Sequence, residues 1–368
     1  MKVLFQSRNS LFVDHVGDTT QVLKTKEYLE KIGIKVDISL ELEPDVSRYD
    51  LVHIFNFTRP QEAFIQARNA KRYHKTVVLS PIFVDYTEYD KKGREGVIKA
   101  LFKLLNKHQI EYCKILGKVI VTREINKGNL RVLQKGVWKT QKESLKYIDL
   151  FLPNSLSEWN RLAKELGISN ALYQVVPNAV DRQLFNPEKV EIDPEHLQYK
   201  GCVLCVARID GRKNQFRLVQ ALRNFPGKLV FVGKISQHHH KDFIRLKNFK
   251  RPNTFFLGDI PHKKLPSLYA VSKVHVLPSF FETTGLSSLE AGIMGCNIVV
   301  SDRGDVREYF GNLAYYCEPD SIDSIRNAVL EAYNSPVNPE LTKHILENFT
   351  WEITANKTLS AYELCFRK

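Results

Sequence analysis

Two glutamates eight residues apart, Glu282 and Glu290, form the clearest chemical pattern in the sequence. Glu282 follows the apolar run 276–278 in a loop, and Glu290 lies inside the helical pattern that begins at Gly285. The first turn of a helix has unpaired N–H groups and a partial positive charge, which favour a phosphate. Because glycine has no Cβ, a ligand can approach the backbone closely there. The pattern predicts a phosphate site flanked by two hydroxyl-binding acids, although a capped surface helix with incidental acids has the same spacing.

Two cations precede these acids in the sequence. Arg208 and Lys213 follow the apolar run 202–206 and lie in a short polar loop before the next helical pattern. An arginine can hold a phosphate through two parallel N–H donors, and a lysine adds a mobile point charge. Taken alone, the pair is equally typical of an ordinary charged surface.

Short apolar runs alternate with helical patterns through both halves of the chain. The predicted strands lie at 3–5, 35–40, 51–55, 76–79, 150–152 and 173–176, and then at 202–206, 229–232, 254–257, 274–277 and 298–301. Such alternation is typical of an α/β fold with parallel sheets covered by helices on both faces. We therefore expect two Rossmann-like, doubly wound domains that face each other across a cleft, with ligands at the carboxyl ends of the strands.

The expected domain boundaries follow from composition. An N-terminal domain is predicted at 1–180 and a C-terminal domain at 201–350, with a helix at 351–368 that packs back on the N-terminal domain. Between the domains, residues 181–200 have two prolines, five acidic residues and no apolar periodicity, which is typical of a linker.

Further short motifs accompany the two glutamates in order along the chain. They are Gly-Asp-Thr-Thr-Gln (17–21), Asn-Ser-Leu-Ser-Glu (154–158), Val-Pro-Asn-Ala-Val-Asp (176–181), Val-Ala-Arg-Ile-Asp-Gly-Arg-Lys-Asn (206–214), the segment 280–292 with both glutamates, and 301–308. Together they resemble retaining glycosyltransferases of family four, also called glycosyl transferases group 1, which have the GT-B fold. Two positions depart from the family pattern, because Val16 replaces one glycine of a usual pair and Ala179 stands where glycine is usual.

The resemblance implies a role for each donor-site residue. Arg208 and Lys213 would neutralise the leaving nucleoside diphosphate, Glu282 would hold hydroxyls of the transferred sugar, and Glu290 would accept the ribose hydroxyls. The backbone of Thr283, Thr284, Gly285 and Leu286 would assist at the phosphates. The nucleobase would lie near Gly233, Lys234, Asp259 and Ile260, and the N-terminal loop would contribute Gly17 and Asp18. The donor would be a UDP- or GDP-sugar, and the family needs no metal or other cofactor to bind it.

The N-terminal half departs from the family at one catalytic position. Many relatives have a histidine after the strand predicted at 76–79, where this chain has Ser-Pro-Ile-Phe-Val-Asp-Tyr at 80–86. His53, at the end of another predicted strand, is a substitute candidate, and a buried histidine with satisfied hydrogen bonds is an equal alternative. Asp85 and Asp18 are further candidates. In the absence of an evident nucleophilic carboxylate, front-side attack with the leaving phosphate as proton acceptor is the favoured scheme for retention.

Positive charge is concentrated in one segment. The net charge of the chain is +13, and residues 91–146 contain fifteen Lys and Arg against four Glu. Apolar residues recur there at helical spacing, including Val97, Ile98 and Leu101, with lysines beside them. A soluble helix with a basic face and a patch that docks on anionic lipid or a phosphate-bearing acceptor both fit this pattern. Nucleic acid is disfavoured, since no nucleic-acid-binding motif accompanies the charge.

These patterns lead to one main functional hypothesis. The chain is expected to move a hexosyl unit from a nucleotide sugar to a glycan or lipid-linked acceptor, in the assembly of cell-surface polysaccharide, lipopolysaccharide or glycolipid. The alternatives are another GT-B enzyme, either an inverting transferase or a nucleotide-sugar epimerase, and a catalytically silent sugar-nucleotide-binding protein. Sparse cysteines in apolar runs indicate a reducing compartment, so we expect a cytoplasmic protein, peripheral on the inner face of the cytoplasmic membrane.

Two further signals are set aside. Three adjacent histidines at 238–240 resemble a metal site, but neighbouring side chains do not converge as ligands one helical turn apart do. Cys202 and Cys205 have the spacing of a redox pair. In one strand, however, residues three apart point to opposite faces, so buried free thiols are expected.

Overall fold

The computed structural model describes residues 1–13, 17–58, 60–94, 96–122, 126–236, 240–249 and 251–367. The strands are β1 (Lys2–Gln6), β2 (Lys35–Ser39), β3 (Leu51–Phe55), β4 (Thr76–Ser80), β5 (Leu150–Phe151), β6 (Cys202–Val206), β7 (Leu229–Val232), β8 (Thr254–Phe256), β9 (Ser272–Leu277), β10 (Asn297–Ser301) and β11 (Tyr315–Cys317). The first eight helices are α1 (Gly17–Lys31), α2 (Pro60–Arg72), α3 (Gly96–Leu104), α4 (Lys107–Thr122), α5 (Lys127–Lys135), α6 (Val137–Ser144), α7 (Leu156–Leu166) and α8 (Pro194–Leu197). The others are α9 (Gln215–Ala221), α10 (His240–Asn248), α11 (Leu265–Val271), α12 (Leu286–Ile293), α13 (Val306–Phe310), α14 (Ile322–Asn334), α15 (Pro339–Asn348) and α16 (Trp351–Phe366).

The strands form two parallel sheets, as the alternation of strands and helices predicts. The first sheet has the order β2-β1-β3-β4-β5, and the second has the order β11-β10-β9-β6-β7-β8. All strand pairs recorded within these sheets are parallel, for example β1 with β3 and β6 with β9. The reversal of strand order beside β1 and beside β6 is the doubly wound arrangement, which confirms the predicted α/β class.

Strands of both sheets are buried along their whole length, which is typical of parallel sheets with helices on both faces. All five residues of β3 are buried, and so are all five of β10. Alternation of polar and apolar residues is therefore absent from these two strands, which is typical of parallel sheets.

Helix α7 forms where its capping residues predict it. Ser155 is the N-cap, and its hydroxyl accepts a hydrogen bond from the N–H of Glu158. The Glu158 carboxylate accepts in turn from the N–H of Asn154 at 2.6 Å and from that of Phe83. The helix ends at Gly167, which adopts the left-handed conformation. This cap confirms the predicted helix and also joins it to the loop that follows β4.

The chain divides into two compact units whose boundaries differ from the predicted ones. The first unit comprises Met1–Val84, Leu101–Asn178 and Trp351–Lys368, and the second comprises Asp85–Ala100 and Ala179–Thr350. Helix α16 is thus part of the first unit. The segment Asp85–Ala100 belongs to the second unit although it lies within the first half of the sequence.

Residues 181–200, predicted as a linker, are instead part of the second unit. Phe185 is 1 % exposed and Tyr199 is 8 % exposed, and both belong to a core cluster that includes residues of β6 and β10. Leu184 and Val190, both partly buried, pack against the same cluster, so a few scattered apolar side chains hold the segment without producing a periodic pattern.

Among the described residues, we find no helix with both the length and the apolar character needed to cross a membrane.

Candidate functional site

The start of helix α12 is the centre of the candidate site in the second unit. Strand β9 ends at Leu277, and Gly285 is the N-cap of the helix, with φ of 73° in the left-handed region. Glycine tolerates this conformation and has no side chain to cap the helix, so first-turn N–H groups point toward a possible anion. The side chain of Thr284 is turned toward the core, where its hydroxyl lies 3.3 Å from that of Tyr309. Thr283 and Leu286, on either side, are partly exposed.

Glu282 lies in the loop before this helix and pairs with one of the predicted cations. Lys213 Nζ lies 2.5 Å from Glu282 Oε1, and the Glu282 side chain is buried. The backbone of Glu282 forms a β-bridge with Gly304, and its carbonyl accepts a hydrogen bond of 2.9 Å from the N–H of Asp305. Two loops that are distant in sequence therefore fix the position of this glutamate.

Gly304 is essential to that arrangement. Its φ is +81°, and a Cβ at this position would lie 1.9 Å from the carbonyl oxygen of Glu282. Any larger residue would therefore push the Glu282 backbone away. The sequence places Gly304 inside the family-like motif at 301–308, but the motif does not reveal that its partner is Glu282.

The loop that follows β6 contains the predicted cations Arg208 and Lys213. It also contains Asp210, which was not among the predicted site residues. Asp210 caps the short 3-10 helix Gly211–Lys213 by accepting from the N–H of Arg212 at 2.9 Å. Its carboxylate also accepts from the Arg212 guanidinium, with Nε at 3.1 Å from both oxygens. Arg208 Nη2 lies farther away, 3.7 Å from Asp210 Oδ2. Burial alone would lower the pKa of Arg212, but the hydrogen bonds to Asp210 raise it above the ordinary value. Arg212 therefore stays charged and bound to Asp210.

Glu290 is held by two residues that sequence patterns missed. His262 Nε2 lies 2.7 Å from Glu290 Oε1, and the Tyr269 hydroxyl donates to Glu290 Oε2 at 3.1 Å. Burial, with a smaller contribution from Glu290, raises the pKa of Tyr269 well above its ordinary value, so its hydroxyl remains a donor. Neither residue belongs to a recognisable motif, and only the fold brings them to Glu290.

The residues predicted beside a nucleobase lie at the ends of neighbouring strands. Gly233, after β7, donates its N–H to the carbonyl of Gly258 at 2.7 Å. A Cβ at Gly233 would lie 2.1 Å from the carbonyl oxygen of Ala207, so this strand end also requires glycine. Lys234 and Asp259 are exposed, and Ile260 is partly exposed. The charged side chains of Lys234 and Asp259 are therefore accessible to solvent, as a role in ligand binding would require.

In the first unit, the predicted Gly17 and Asp18 begin helix α1. Asp18 Oδ2 and Oδ1 accept from Arg8 Nε and Nη2 at 2.8 and 3.0 Å, and Asn56 Nδ2 adds a contact of 3.1 Å to Oδ2. This buried ion pair holds the start of α1 against the loop after β1. Val16, the departure from the glycine pair, lies outside the described residues.

The geometry of His53 favours the alternative of a buried histidine with satisfied hydrogen bonds. The side chain is 1 % exposed, its Nδ1 lies 2.7 Å from the Tyr362 hydroxyl, and its Nε2 lies 2.9 Å from Ser80 Oγ. Burial lowers the pKa of His53 to about 3, so the ring is neutral at ordinary pH. His53 thus joins β3, β4 and α16 within the first unit and has no free nitrogen for catalysis.

Neither the cysteine pair nor the run of histidines at 238–240 forms a redox or metal site among the described residues. Cys202 and Cys205 are free and buried, and burial raises the pKa of their thiols to about 11 and about 12. Thiols that stay protonated are poor nucleophiles. Of the three histidines, His238 and His239 lie outside the described residues, and His240 begins α10. In the part of the chain that is described, no group of His, Cys, Asp and Glu is arranged to hold a metal ion.

Residues 190–349 match the family model of glycosyl transferases group 1. The chain is 28 % identical over 179 residues to O-antigen chain mannosyltransferase B of Escherichia coli, covering 46 % of this chain and 47 % of the relative. It is 24 % identical over 272 residues to a phosphatidylinositol N-acetylglucosaminyltransferase subunit of Arabidopsis thaliana, covering 71 % of this chain and 60 % of the relative. The chain thus spans about half the length of the curated relatives that it matches.

Two solved structures share the architecture along nearly their whole length. Sucrose-phosphate synthase from Thermosynechococcus elongatus superposes with a TM-score of 0.73 at 16 % identity, covering 100 % of this chain and 99 % of that one. Anabaena HepE in complex with UDP and glucose superposes with a TM-score of 0.67 at 14 % identity, covering 99 % of each chain. At such low identity the likeness concerns the fold alone, and it confirms the predicted GT-B fold.

Proposed function

Residues 190–349 match the family model of glycosyl transferases group 1, and we propose on that basis that this chain is a retaining hexosyltransferase of that family that uses a nucleotide-sugar donor. The observation that carries the proposal is the convergence of Lys213 and Glu282 beside the start of α12. A diphosphate and a sugar need cations, N–H donors and a hydroxyl acceptor close together, and these residues supply all three.

The phosphates would bind at the first turn of α12. Gly285 allows close approach, and the helix dipole favours the negative charge that develops on the leaving diphosphate. Arg208 is partly exposed and only distantly paired with Asp210, so it is available to form charge-assisted hydrogen bonds with a phosphate. Lys213 would exchange its contact with Glu282 for one with the phosphates. This exchange would leave the Glu282 carboxylate free to accept sugar hydroxyls.

The nucleoside would lie at the other end of the site. Glu290 would accept the two ribose hydroxyls in place of the contacts from His262 and Tyr269. The base would lie against Gly233, Lys234, Asp259 and Ile260. UDP and GDP are the nucleotides that we propose to test first. UDP is supported by a structural neighbour that is described as a complex with UDP and glucose, although this supports the class of donor more than the base.

Retention of the anomeric configuration would follow from attack on the same face from which the diphosphate departs. The leaving phosphate oxygen would take the proton of the acceptor hydroxyl as the new bond forms. This scheme uses no histidine base, which agrees with the burial of His53 and with the hydrogen bonds at both of its ring nitrogens. The residues of the chain would therefore act by orientation and charge stabilisation, and the scheme requires no metal.

We propose that the acceptor is a glycan or lipid-linked saccharide of a cell-surface polysaccharide, lipopolysaccharide or glycolipid. The relative named for the O-antigen chain supports the polysaccharide class, and the relative named for phosphatidylinositol supports a lipid-linked acceptor. The enzyme would then work in the cytoplasm, at the inner face of the cytoplasmic membrane.

The surface of helix α3 supports peripheral binding to an anionic membrane. Val97 and Leu104 are 85 % and 86 % exposed, and Ile98 and Leu101 are each about half exposed. Lys103, between them in the sequence, is exposed as well. Exposed apolar side chains beside basic ones are typical of helices that insert shallowly into an anionic lipid surface.

Binding and product analysis together test the proposed function. A thermal-shift screen with UDP, GDP, UDP-glucose and GDP-mannose should reveal stabilisation by at least one nucleotide, since a ligand that binds the folded state raises its stability. NMR of the transferred sugar should then show the anomeric configuration of the donor. An inverted anomer would support an inverting GT-B enzyme, and an epimerised donor without transfer would support an epimerase. Binding without any turnover would support a catalytically silent protein.

A further inference from the structure

The segment Asp85–Ala100, called here the inserted segment, packs within the second unit. It contains a short π-helix, Tyr89–Gly93, in which Tyr89 and Asp90 are buried. The segment is separated from the rest of its unit by about eighty residues of sequence, yet it contacts the loops that carry Lys213 and Glu282. Its contacts are both ionic and aromatic.

The ionic contacts centre on Arg303, the residue before Gly304. Arg303 Nε donates to Glu88 Oε2 at 2.7 Å, and Nη2 lies 3.4 Å from Glu88 Oε1. The same guanidinium contacts Glu318 Oε2 at 2.6 Å. Burial would raise the pKa of Glu88, but Arg303 and Lys92 outweigh that effect and lower it below the ordinary value. Glu88 is therefore ionised, and its charge-assisted bonds to Arg303 are strong.

The aromatic contacts reach the residues immediately before Glu282. The ring of Tyr89 lies 5.6 Å from that of Phe280, and the ring of Tyr86 lies 6.1 Å from that of Phe281. The Arg212 guanidinium lies 4.8 Å from the centre of the Tyr86 ring. Aromatic pairs and cation–π contacts at these distances are attractive. The inserted segment thus packs against both loops of the predicted donor site.

One peptide bond and one β-bridge connect Arg303 to Glu282. Arg303 is bonded to Gly304, and Gly304 forms the β-bridge with Glu282. The fit between Gly304 and the Glu282 carbonyl leaves no room even for a methyl group. A shift of Arg303 would therefore move the backbone of Glu282, because well-packed groups transmit displacement.

From these contacts we propose that Glu88 is a positioning residue for the sugar end of the donor site. It holds Arg303, and through Gly304 it fixes the backbone of Glu282, while Tyr86 and Tyr89 hold the adjoining phenylalanines. The inference deepens the proposed function and rests on it for the role of Glu282. It assigns part of sugar recognition to a segment that no family-like motif includes.

The proposal predicts different effects at the sugar end and at the nucleoside end of the donor. Glu290, at the nucleoside end, is held by His262 and Tyr269, and neither lies in the inserted segment. Loss of Glu88 should therefore impair reaction of the whole nucleotide sugar and leave binding of the nucleoside diphosphate unchanged. General damage to the fold would weaken both.

The matched pair of variants is Glu88→Gln and Glu318→Gln, since each removes one carboxylate partner of Arg303. Glu318 has a side chain that is 50 % exposed, so its pair with Arg303 is the weaker one. With UDP-glucose and GDP-mannose as donors, Glu88→Gln should lower kcat/KM about tenfold or more, because small misplacements of a substrate-binding group are costly. The Kd for UDP and GDP should stay within about twofold, and Glu318→Gln should change neither quantity more than about twofold. Equal loss of diphosphate affinity and turnover in Glu88→Gln, or equal effects of both variants, would overturn the proposal.

Hydrogen exchange tests the positioning claim without any donor. The N–H of Asp305, bonded to the Glu282 carbonyl, should exchange faster in Glu88→Gln than in Glu318→Gln or the wild type. Unchanged exchange at Asp305 would overturn the proposed path from Glu88 to Glu282. If the wild type turns over no nucleotide sugar, the proposed function fails, and the exchange measurement still decides whether Glu88 positions Glu282.

Discussion

Lys213 Nζ lies 2.5 Å from Glu282 Oε1, so one of the predicted phosphate-binding cations is paired with the predicted sugar-binding acid. The two residues come from loops after β6 and β9, which are neighbours in the second sheet. A negatively charged donor would compete with Glu282 for Lys213. The pair joins the two loops, and in the proposed mechanism it would release both groups when the donor binds.

This competition predicts opposite effects of Glu282→Gln on binding and on turnover. The variant keeps the shape of the side chain but removes the charge that competes for Lys213. We expect tighter binding of UDP or GDP, by a few-fold, and turnover lowered by about a hundredfold because a charge-assisted contact to the sugar is lost. Calorimetry and a donor-turnover assay measure the two quantities. Asp323→Asn, which removes an exposed carboxylate paired with Arg326, is the control and should change neither. Weaker diphosphate binding in Glu282→Gln would contradict the competition.

Gly304→Ala should be much more damaging than an ordinary glycine replacement. The added methyl group would meet the Glu282 carbonyl at 1.9 Å, and the φ of +81° is already unfavourable for alanine. Gly167→Ala is the matched control, since its φ is +65° but nothing lies within 4 Å of the added atom. Urea unfolding should show a loss of about 1 kcal/mol for Gly167→Ala and a clearly larger loss for Gly304→Ala, with turnover also reduced. Equal losses would mean that the contact with Glu282 is unimportant.

The buried histidines predict how stability depends on pH. Burial lowers the pKa of His53, and likewise that of His275, from the ordinary 6.5 to about 3. Between these values the unfolded chain binds protons that the folded chain does not, so stability present above pH 6.5 is lost as the pH falls toward 3. Each histidine should contribute a slope of up to about 1.4 kcal/mol per pH unit within that window.

Comparison of the wild type with His53→Gln isolates the contribution of one histidine. Between pH 6 and pH 5 the variant should lose about 1 kcal/mol less stability than the wild type, as measured by urea unfolding. Turnover at pH 7.5, scaled to the folded fraction, should be retained because the buried, hydrogen-bonded His53 has no role in the proposed mechanism. Loss of turnover in a well-folded variant would restore His53 as a catalytic candidate.

The exposed face of α3 predicts membrane binding that depends on both apolar contact and charge. Val97→Ser combined with Leu104→Ser should weaken binding to vesicles that contain anionic lipid by about tenfold, since two side chains lose their apolar burial. Leu197→Ser, at an exposed leucine of α8, is the control and should have no effect. Co-sedimentation at low and high salt measures the binding. Salt-insensitive binding, or none in the wild type, would refute the peripheral association.

The candidate donor residues could be located in the sequence because their motifs are local, and their roles in donor binding stay predictions. Glu282, Gly285 and Glu290 lie within nine residues, and their order relative to Arg208 and Lys213 follows the order of the strands. The alternation of strands and helices likewise predicted both parallel sheets, except that the strand predicted at 173–176 is only an isolated β-bridge at Tyr173 and that β11 was not predicted. The ends of the predicted strands differ from the observed ends by only a few residues. For example, β9 begins at Ser272, whereas the prediction began at 274.

Contacts between distant segments could not be predicted in this way. His53 is buried by Tyr362, which lies 309 residues later, and no pattern around β3 indicates that partner. Glu88 and Arg303 are 215 residues apart, so the place of the inserted segment in the second unit depends on the finished fold. Gly304, His262 and Tyr269 contact the predicted glutamates for the same reason. Sequence patterns identify elements and local motifs, whereas packing between elements selects the partners of each side chain.

We propose that this chain transfers a sugar from a nucleotide donor through Arg208, Lys213 and Glu282. The rate of nucleoside diphosphate release from UDP-glucose, GDP-mannose and related donors tests this proposal when it is measured for the wild type and for Arg208→Ala combined with Lys213→Ala. We predict release by the wild type from at least one donor, and a rate at least about a hundredfold lower in the double variant, which remains folded. Equal rates in the two proteins, or no release by the wild type from any donor, would contradict the claim.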